Sequence, residues 1–232
     1  MPAIGILGGM GPQASCKLYE LLIAKTARYT DAAVDDDYPE IVLLNVPVPN
    51  FISDRSKMPE AKQMLIERTK LLERAGCTIN GIACNTVHIL LPELQAVTSV
   101  PFVSIPSLVS ELILAKGYQR VGLLATPTTL ISTLYDDALN GVEIVRPNRA
   151  FAEETEQLIY TQMRSDITSE ERAGFRQKVA AFQADMKLDA VILGCTELPL
   201  VYGQPSSPNI IDTLEVLSDA LLKAYFAPQQ VT

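Results

Sequence analysis

Short apolar runs alternate along the chain with longer segments in which apolar residues recur every three or four positions. The longer segments predict amphipathic helices, and the short runs predict buried strands. The predicted strands cover residues 4–7, 41–46, 81–83, 102–105, 121–125, 143–145 and 190–193. Strands that alternate with helices in this way predict an α/β fold with mostly parallel sheets flanked by helices.

Proline, glycine and serine mark the ends of several predicted helices. Pro12 stands where a first helical turn tolerates proline, and Gly117 is placed to end a later helix. Ser169, followed by two glutamates, is predicted as the N-cap of another helix. The last helix is predicted to span residues 213–226.

Two pairs of segments are alike, which indicates an internal duplication. Residues 4–8 (Ile-Gly-Ile-Leu-Gly) resemble residues 121–125 (Val-Gly-Leu-Leu-Ala), and residues 81–86 resemble residues 192–196. The features follow the same order in both halves of the chain. We therefore predict two similar lobes, related by a pseudo-twofold axis, with an active site in the cleft between them.

The duplication also suggests where the lobes divide. The boundaries are predicted around residues 98–101 and near residues 206–209. The first lobe would comprise residues 1–98 and 209–232, so that the last helix returns to it, and the second lobe would comprise residues 99–208.

Charge and hydropathy exclude several classes of partner. The formal net charge is -8, and the 19 Lys and Arg residues are scattered rather than clustered, so neither nucleic acid nor an anionic membrane is an expected partner. No apolar run approaches the roughly 20 residues needed to cross a bilayer. The first residues lead directly into a predicted strand without the features of a signal peptide, so we expect a cytoplasmic protein.

The cysteine inventory argues against a metal site. Four cysteines occur without a Cys-x-x-Cys pair, and His88 is the only histidine, so we expect no zinc. Cys16 lies inside an amphipathic helix and Cys77 follows a probable helix end. For both we expect the buried structural role that is ordinary for cysteine.

Cys84 and Cys195 differ from the other two cysteines because each follows a predicted strand at a matching place in its lobe. Ligands of parallel α/β folds gather at these strand ends. Two thiols that face each other across a cleft suit the inversion of a stereocentre, which needs a base on one face of a carbon and an acid on the other. The base must be partly ionised, and we expect helix N-termini and nearby donors to favour its thiolate.

The neighbours of these cysteines supply polar groups. Asn85, Thr86 and Thr196 could donate hydrogen bonds to a thiolate or to a substrate carboxylate. His88 either tunes the thiol of Cys84 or is a satisfied core histidine. The glycine-rich turn at residues 8–12 lacks the spacing of dinucleotide and P-loop sites, and it either approaches a small anion or is purely structural.

Three motifs together resemble the aspartate racemase branch of the aspartate/glutamate racemase family. They are residues 8–12 (Gly-Gly-Met-Gly-Pro), residues 83–88 (Ala-Cys-Asn-Thr-Val-His) and residues 194–197 (Gly-Cys-Thr-Glu). The resemblance spans almost the whole chain. It implies racemisation of aspartate, or else glutamate, by a two-lobed homodimer that uses no pyridoxal phosphate or metal cofactor. It assigns the acid and base roles to Cys84 and Cys195.

The resemblance further implies a set of substrate-binding residues around these cysteines. They are Met10, Asn45, Asn85, Thr86, Thr126, Arg164, Thr196 and Glu197. Glutamate racemases usually carry histidine where this chain has Glu197, which favours the aspartate branch.

Aspartate-specific members of the family hold the substrate side chain with two basic residues. Arg164 matches the basic residue of a later helix. The arginine expected soon after the second strand is replaced by Asn50 or Phe51, and Arg55 comes late. Arg55 is either a substitute from a longer loop or a solvated surface residue.

Other functions remain open on the sequence alone. A cis-trans isomerase of the same superfamily would use the same cleft and cysteines, whereas two cysteines argue against the single-thiol decarboxylases. A non-catalytic protein that binds an acidic amino acid would also fit. A thiol redox enzyme is disfavoured because no Cys-x-x-Cys is present.

Overall fold

The computed structural model describes residues 2–52, 54–203 and 207–227. The strands in these ranges are β1 (Ala3–Gly8), β2 (Glu40–Asn45), β3 (Cys77–Ile82), β4 (Phe102–Val103), β5 (Arg120–Leu124), β6 (Glu143–Val145), β7 (Ala190–Leu193) and β8 (Ile210–Asp212). The α-helices are α1 (Pro12–Thr26), α2 (Met58–Arg74), α3 (Leu91–Gln95), α4 (Ile105–Lys116), α5 (Pro127–Ile131), α6 (Leu134–Ala138), α7 (Arg149–Met163), α8 (Ser169–Asp185), α9 (Leu198–Tyr202) and α10 (Thr213–Tyr225). Short 3-10 helices cover Asp35–Asp37, Arg55–Lys57 and Thr86–Leu90.

The strands form two parallel four-stranded sheets with the same strand order. The first sheet has the order β2-β1-β3-β4 and the second has the order β6-β5-β7-β8. Every strand pairing is parallel. The repeated order confirms the prediction of an α/β fold built from two similar lobes with helices flanking parallel sheets.

Two strands lie in different sheets from those that the predicted lobe boundaries imply. β4 extends the first sheet, in which Asn80 pairs with Phe102, although residues 102–103 were assigned to the second lobe. β8, which was not predicted, extends the second sheet through the pairing of Val191 with Ile210. Each sheet therefore includes one strand from beyond the boundary predicted for its lobe. Residue 206, at one predicted boundary, lies outside the described residues.

Several helix ends differ from prediction by a residue or two because side chains cap them. The N-cap of α8 is Thr168 rather than Ser169, since Thr168 and Glu171 exchange hydrogen bonds in a capping box. The strand predicted at residues 102–105 stops at Val103 because Ser104 caps α4. Gly117 ends α4 in the left-handed conformation, as predicted. Within the described ranges, no helix combines the length and apolar character needed to span a membrane.

A continuous apolar core joins the two sheets. It includes Ile6 of β1, Leu123 of β5 and Ile192 of β7, together with Leu217 of α10. Burying each such side chain contributes about 1.5–3 kcal/mol, so this core fixes the two sheets relative to each other. α10 packs mainly on α1 and α4, and it also contacts β3 of the first sheet.

The two remaining cysteines have different environments. Cys77 is buried in β3, but the prediction that Cys16 is buried is wrong, because Cys16 is exposed. The buried face of α1 carries Ala14, Ser15 and Leu18, and the helical rotation turns Cys16 away from it.

Candidate active site

Cys84 and Cys195 lie at the carboxyl ends of equivalent strands in the two sheets. Cys84 comes two residues after β3 and Cys195 two residues after β7, and each of these strands is third in its sheet order. Both side chains are buried, with exposures of 3% and 8%. Both line the same cavity, which draws its walls from both halves of the chain. The two thiols therefore face one shared space.

This cavity has a volume of about 40 Å³. Besides the two cysteines, the predicted residues that line it are Met10, Asn85, Thr86, Thr126 and Glu197. The lining residues that sequence reasoning missed are Asn50, Ile52, Glu156, Ile159, Tyr160 and Met163.

Burial is the main influence on the pKa of both thiols, and it makes them weaker acids. It raises the pKa of Cys84 to about 12, and the nearby charge of Glu197 adds to this effect, while the backbone N–H groups of Val87 and Thr86 oppose it. Burial and the Glu197 charge also raise the pKa of Cys195 well above its ordinary value. Both thiols are therefore protonated at neutral pH. The expected partial ionisation is absent because desolvation outweighs the backbone donors.

Glu197 connects Cys195 to the glycine-rich turn. The side chain is 2% exposed. Its Oε2 atom lies 3.2 Å from Sγ of Cys195, which donates to it, and 3.1 Å from the hydroxyl of Thr196. Its Oε1 atom accepts a hydrogen bond of 3.0 Å from the backbone N–H of Gly11. A proton acceptor thus lies in direct contact with one of the two thiols.

The glycine-rich turn needs Gly9 and Gly11 because neighbouring atoms lie too close to their backbone for a side chain. Gly9 has a φ of +91°, and a Cβ atom there would lie 2.4 Å from the backbone nitrogen of Val46. A Cβ atom on Gly11 would lie 2.7 Å from Oε1 of Glu197. The anion that the N–H of Gly11 holds in this structure is therefore the carboxylate of Glu197.

Hydrogen bonds from the segment after Cys84 reach the second half of the chain. The hydroxyl of Thr86 lies 3.1 Å from that of Thr126. The amide of Asn85 donates to the hydroxyl of Thr213 at 3.0 Å and accepts from the hydroxyl of Tyr135 at 2.6 Å. These bonds hold Asn85 and Thr86 in fixed orientations beside the cavity.

His88 is a satisfied core histidine. Its Nε2 atom accepts from the backbone N–H of Ile105 at 3.1 Å, so Nδ1 carries the proton and donates to the carbonyl of Cys84 at 2.9 Å. Burial lowers its pKa to about 4, which keeps the ring neutral. Of the two roles considered, the structure favours the core role. The ring fixes the backbone of Cys84.

Three residues expected in the site, and the alternative Arg55, lie away from the cavity lining. Asn45 is exposed at the end of β2. Thr196 is buried, but its hydroxyl lies 3.1 Å from the carboxylate of Glu197 and 3.4 Å from the carbonyl of Ala83, the two acceptors for its proton. The side chain of Arg164 is 64% exposed and lies 3.6 Å from the carboxylate of Asp166. Arg55 is exposed in a short 3-10 helix. Among the described residues, the cavity lining contains no lysine, arginine or histidine.

The missed residues come mainly from one face of α7. Glu156, Ile159, Tyr160 and Met163 follow the i, i+3, i+4, i+7 spacing of a single helix face. That spacing is visible in the sequence, but the sequence alone does not show which face of the helix turns toward the cleft. Asn50, which lines the cavity, occupies one of the two places considered for the missing arginine.

The described residues include no group of three or more His, Cys, Asp or Glu side chains placed to hold a metal ion. The chemistry available in the lining therefore comes from two thiols, two carboxylates, the hydroxyls of the threonines and tyrosine, and amide groups.

Comparisons with known proteins agree with this arrangement. The model of the Asp/Glu/hydantoin racemase family matches residues 7–221. The broad specificity amino-acid racemase RacX of Bacillus subtilis is 27% identical and aligns over 97% of this chain and 99% of its own length. An aspartate racemase homologue from Pyrococcus horikoshii superposes with a TM-score of 0.80 at 30% identity, covering 97% of this chain and 99% of that one. The aspartate racemase of Picrophilus torridus gives a TM-score of 0.80 at 29% identity, covering 97% and 94%. The chain belongs to the Asp/Glu/hydantoin racemase family.

Proposed function

We propose that this family member is an amino-acid racemase in which Cys84 and Cys195 exchange protons with the α-carbon from opposite faces, without a cofactor. The observation that carries the proposal is that both thiols line one cavity at the ends of equivalent strands. Two acid–base groups on opposite sides of one carbon are what inversion by proton transfer requires.

The reaction needs one of the two thiols to become a thiolate. Glu197 can accept the proton of Cys195 across their 3.2 Å contact. The α-ammonium group of a bound amino acid would bring positive charge beside the buried thiols and lower their pKa. The thiolate removes the α-proton from one face, and the opposite thiol donates its proton to the other face. The enzyme then holds the same number of protons, with the thiol and thiolate exchanged.

The substrate carboxylate also needs donors, since its charge grows as the α-proton leaves. The hydroxyls of Thr86 and Thr126 line the cavity and lie 3.1 Å apart. We assign these two hydroxyls to the carboxylate, because preorganised donors stabilise developing negative charge. The backbone N–H groups of Thr86 and Val87 instead support a thiolate on Cys84.

The identity of the substrate side chain is a separate question. The motif resemblance and the names of the Pyrococcus horikoshii and Picrophilus torridus proteins favour aspartate, with glutamate second. The name of the Bacillus subtilis relative favours a broader range of amino acids. The proton transfer is the same for every substrate, so the proposed reaction does not depend on this choice.

The test is a chiral assay over a panel of L-amino acids in D₂O. We expect the wild type to racemise at least one of them with deuterium incorporated at the α-carbon. Cys84→Ser and Cys195→Ser should each abolish racemisation, whereas the matched controls Cys16→Ser and Cys77→Ser should retain it.

The same assay separates the alternative functions. Two-way racemisation by either Cys84→Ser or Cys195→Ser would contradict the two-thiol mechanism. Isomerisation of maleate without amino-acid racemisation would indicate a cis-trans isomerase. Tight binding of an amino acid without deuterium exchange would indicate a binding protein.

A further inference from the structure

The charge of the cavity lining differs from what an acidic substrate needs. The charged side chains among the described lining residues are Glu156 and Glu197, and both are acidic. One place considered for a carboxylate-binding arginine holds Asn50. Arg164 of the later helix points to solvent and lies beside Asp166. A substrate carboxylate at the side-chain end would therefore meet no basic group in this lining.

Glu156 differs from the other acidic residues around it. Glu153 pairs with Arg149, and Glu154 pairs with Lys178. Glu197 is held by Cys195, Thr196 and Gly11. Glu156 forms no hydrogen bond or ion pair with the other residues that the structure describes.

Apolar side chains accompany Glu156 in the lining. Ile159 and Met163 lie on the same face of α7, together with the ring of Tyr160, and Ile52 lines the cavity as well. These side chains suit a chain of methylene groups, and a carboxylate in the same lining suits a positive charge at the end of that chain.

We propose that the cavity selects amino acids whose side chain ends in an ammonium or guanidinium group, with Glu156 as the partner of that charge. This inference rests on the proposed racemase function. The methylene groups of the substrate pack on Ile159 and Met163, while the α-carbon lies between Cys84 and Cys195. A side-chain carboxylate is disfavoured because it adds a negative charge to a lining that already carries two carboxylates.

The experiment measures kcat/KM for racemisation of L-lysine, L-glutamine and L-aspartate. The substrates are compared in the wild type, in Glu156→Gln and in the control Glu153→Gln, which removes an exposed carboxylate from the same helix. We expect the wild type to prefer lysine over both glutamine and aspartate by at least tenfold. Glu156→Gln should reduce the lysine-to-glutamine ratio of kcat/KM at least tenfold, through kcat as well as KM, and Glu153→Gln should leave it unchanged.

A second variant and a binding measurement make the test decisive. Glu156→Lys should shift the preference from lysine toward aspartate. A wild type that prefers aspartate, or a lysine-to-glutamine ratio that Glu156→Gln leaves unchanged, would overturn the inference while leaving the racemase function intact. If no amino acid is racemised, the proposed function fails. Calorimetric titration of lysine and aspartate then tests the inference alone, and equal or tighter binding of aspartate overturns it.

Discussion

His88 should make the stability of the protein sensitive to mild acid. Burial lowers its pKa from 6.5 to about 4 in the folded chain, and its two ring nitrogens are bonded to Cys84 and Ile105. Below pH 6.5 the unfolded chain binds a proton at His88 that the folded chain does not, so acid favours unfolding. With these pKa values the free energy of unfolding falls by about 2 kcal/mol between pH 7 and pH 5, and the total loss approaches about 3 kcal/mol below pH 4.

The assay is urea unfolding of the wild type and of His88→Gln at pH 5, 6 and 7. Glutamine can donate to the carbonyl of Cys84 and accept from the N–H of Ile105, but it does not titrate. The difference between the two proteins isolates His88, because every other titrating group is present in both. Asp212 is one such group, and its effect on stability has the opposite pH dependence. Burial raises the pKa of Asp212 to about 6. Its contribution to the free energy of unfolding is therefore largest below pH 3.8 and is lost as the pH rises through 6.

The unfolding free energies of the wild type and of His88→Gln should diverge as the pH falls. The free energy of unfolding of the wild type should fall relative to that of His88→Gln by about 2 kcal/mol from pH 7 to pH 5. Parallel curves over this range would refute it, since they would mean that His88 has the same proton affinity in the folded and unfolded chains.

Two further predictions concern thiol exposure and the glycine-rich turn. A thiol reagent should label one cysteine rapidly in the native protein, because Cys16 is exposed while the other three cysteines are buried. Rapid labelling of the Cys16→Ser variant would contradict this. Gly9→Ala should destabilise the protein by about 1–3 kcal/mol in urea unfolding, because of the φ of +91° and the short approach to Val46. In the control Gly174→Ala the added Cβ meets open space in α8, so we expect the free energy of unfolding to rise by about 0.5–1 kcal/mol. An equal loss of stability in both variants would refute the steric argument.

The parts of the fold and site that the sequence predicted depend on local signals. Apolar runs gave most of the strands, and the duplicated motifs placed Cys84 and Cys195 at equivalent strand ends. The parts that were missed depend on helix phase and on long-range pairing. Arg164 comes one residue after Met163, and a rotation of about 100° per residue turns it from the cavity face of α7 toward solvent. β8 exists because three residues pair with β7, which no local pattern shows.

The acidity of the thiols and the choice of substrate are linked through the same charges. Both thiols are protonated because burial and the charge of Glu197 oppose a thiolate, so the proposed mechanism requires ionisation to accompany substrate binding. Aspartate carries a net charge of −1 and would add to the negative charge in the lining, whereas lysine carries a net charge of +1 and offsets part of it. The substrate whose side chain is paired with Glu156 is therefore also the one that makes a thiolate easier to form, and selectivity should appear in kcat as well as in KM.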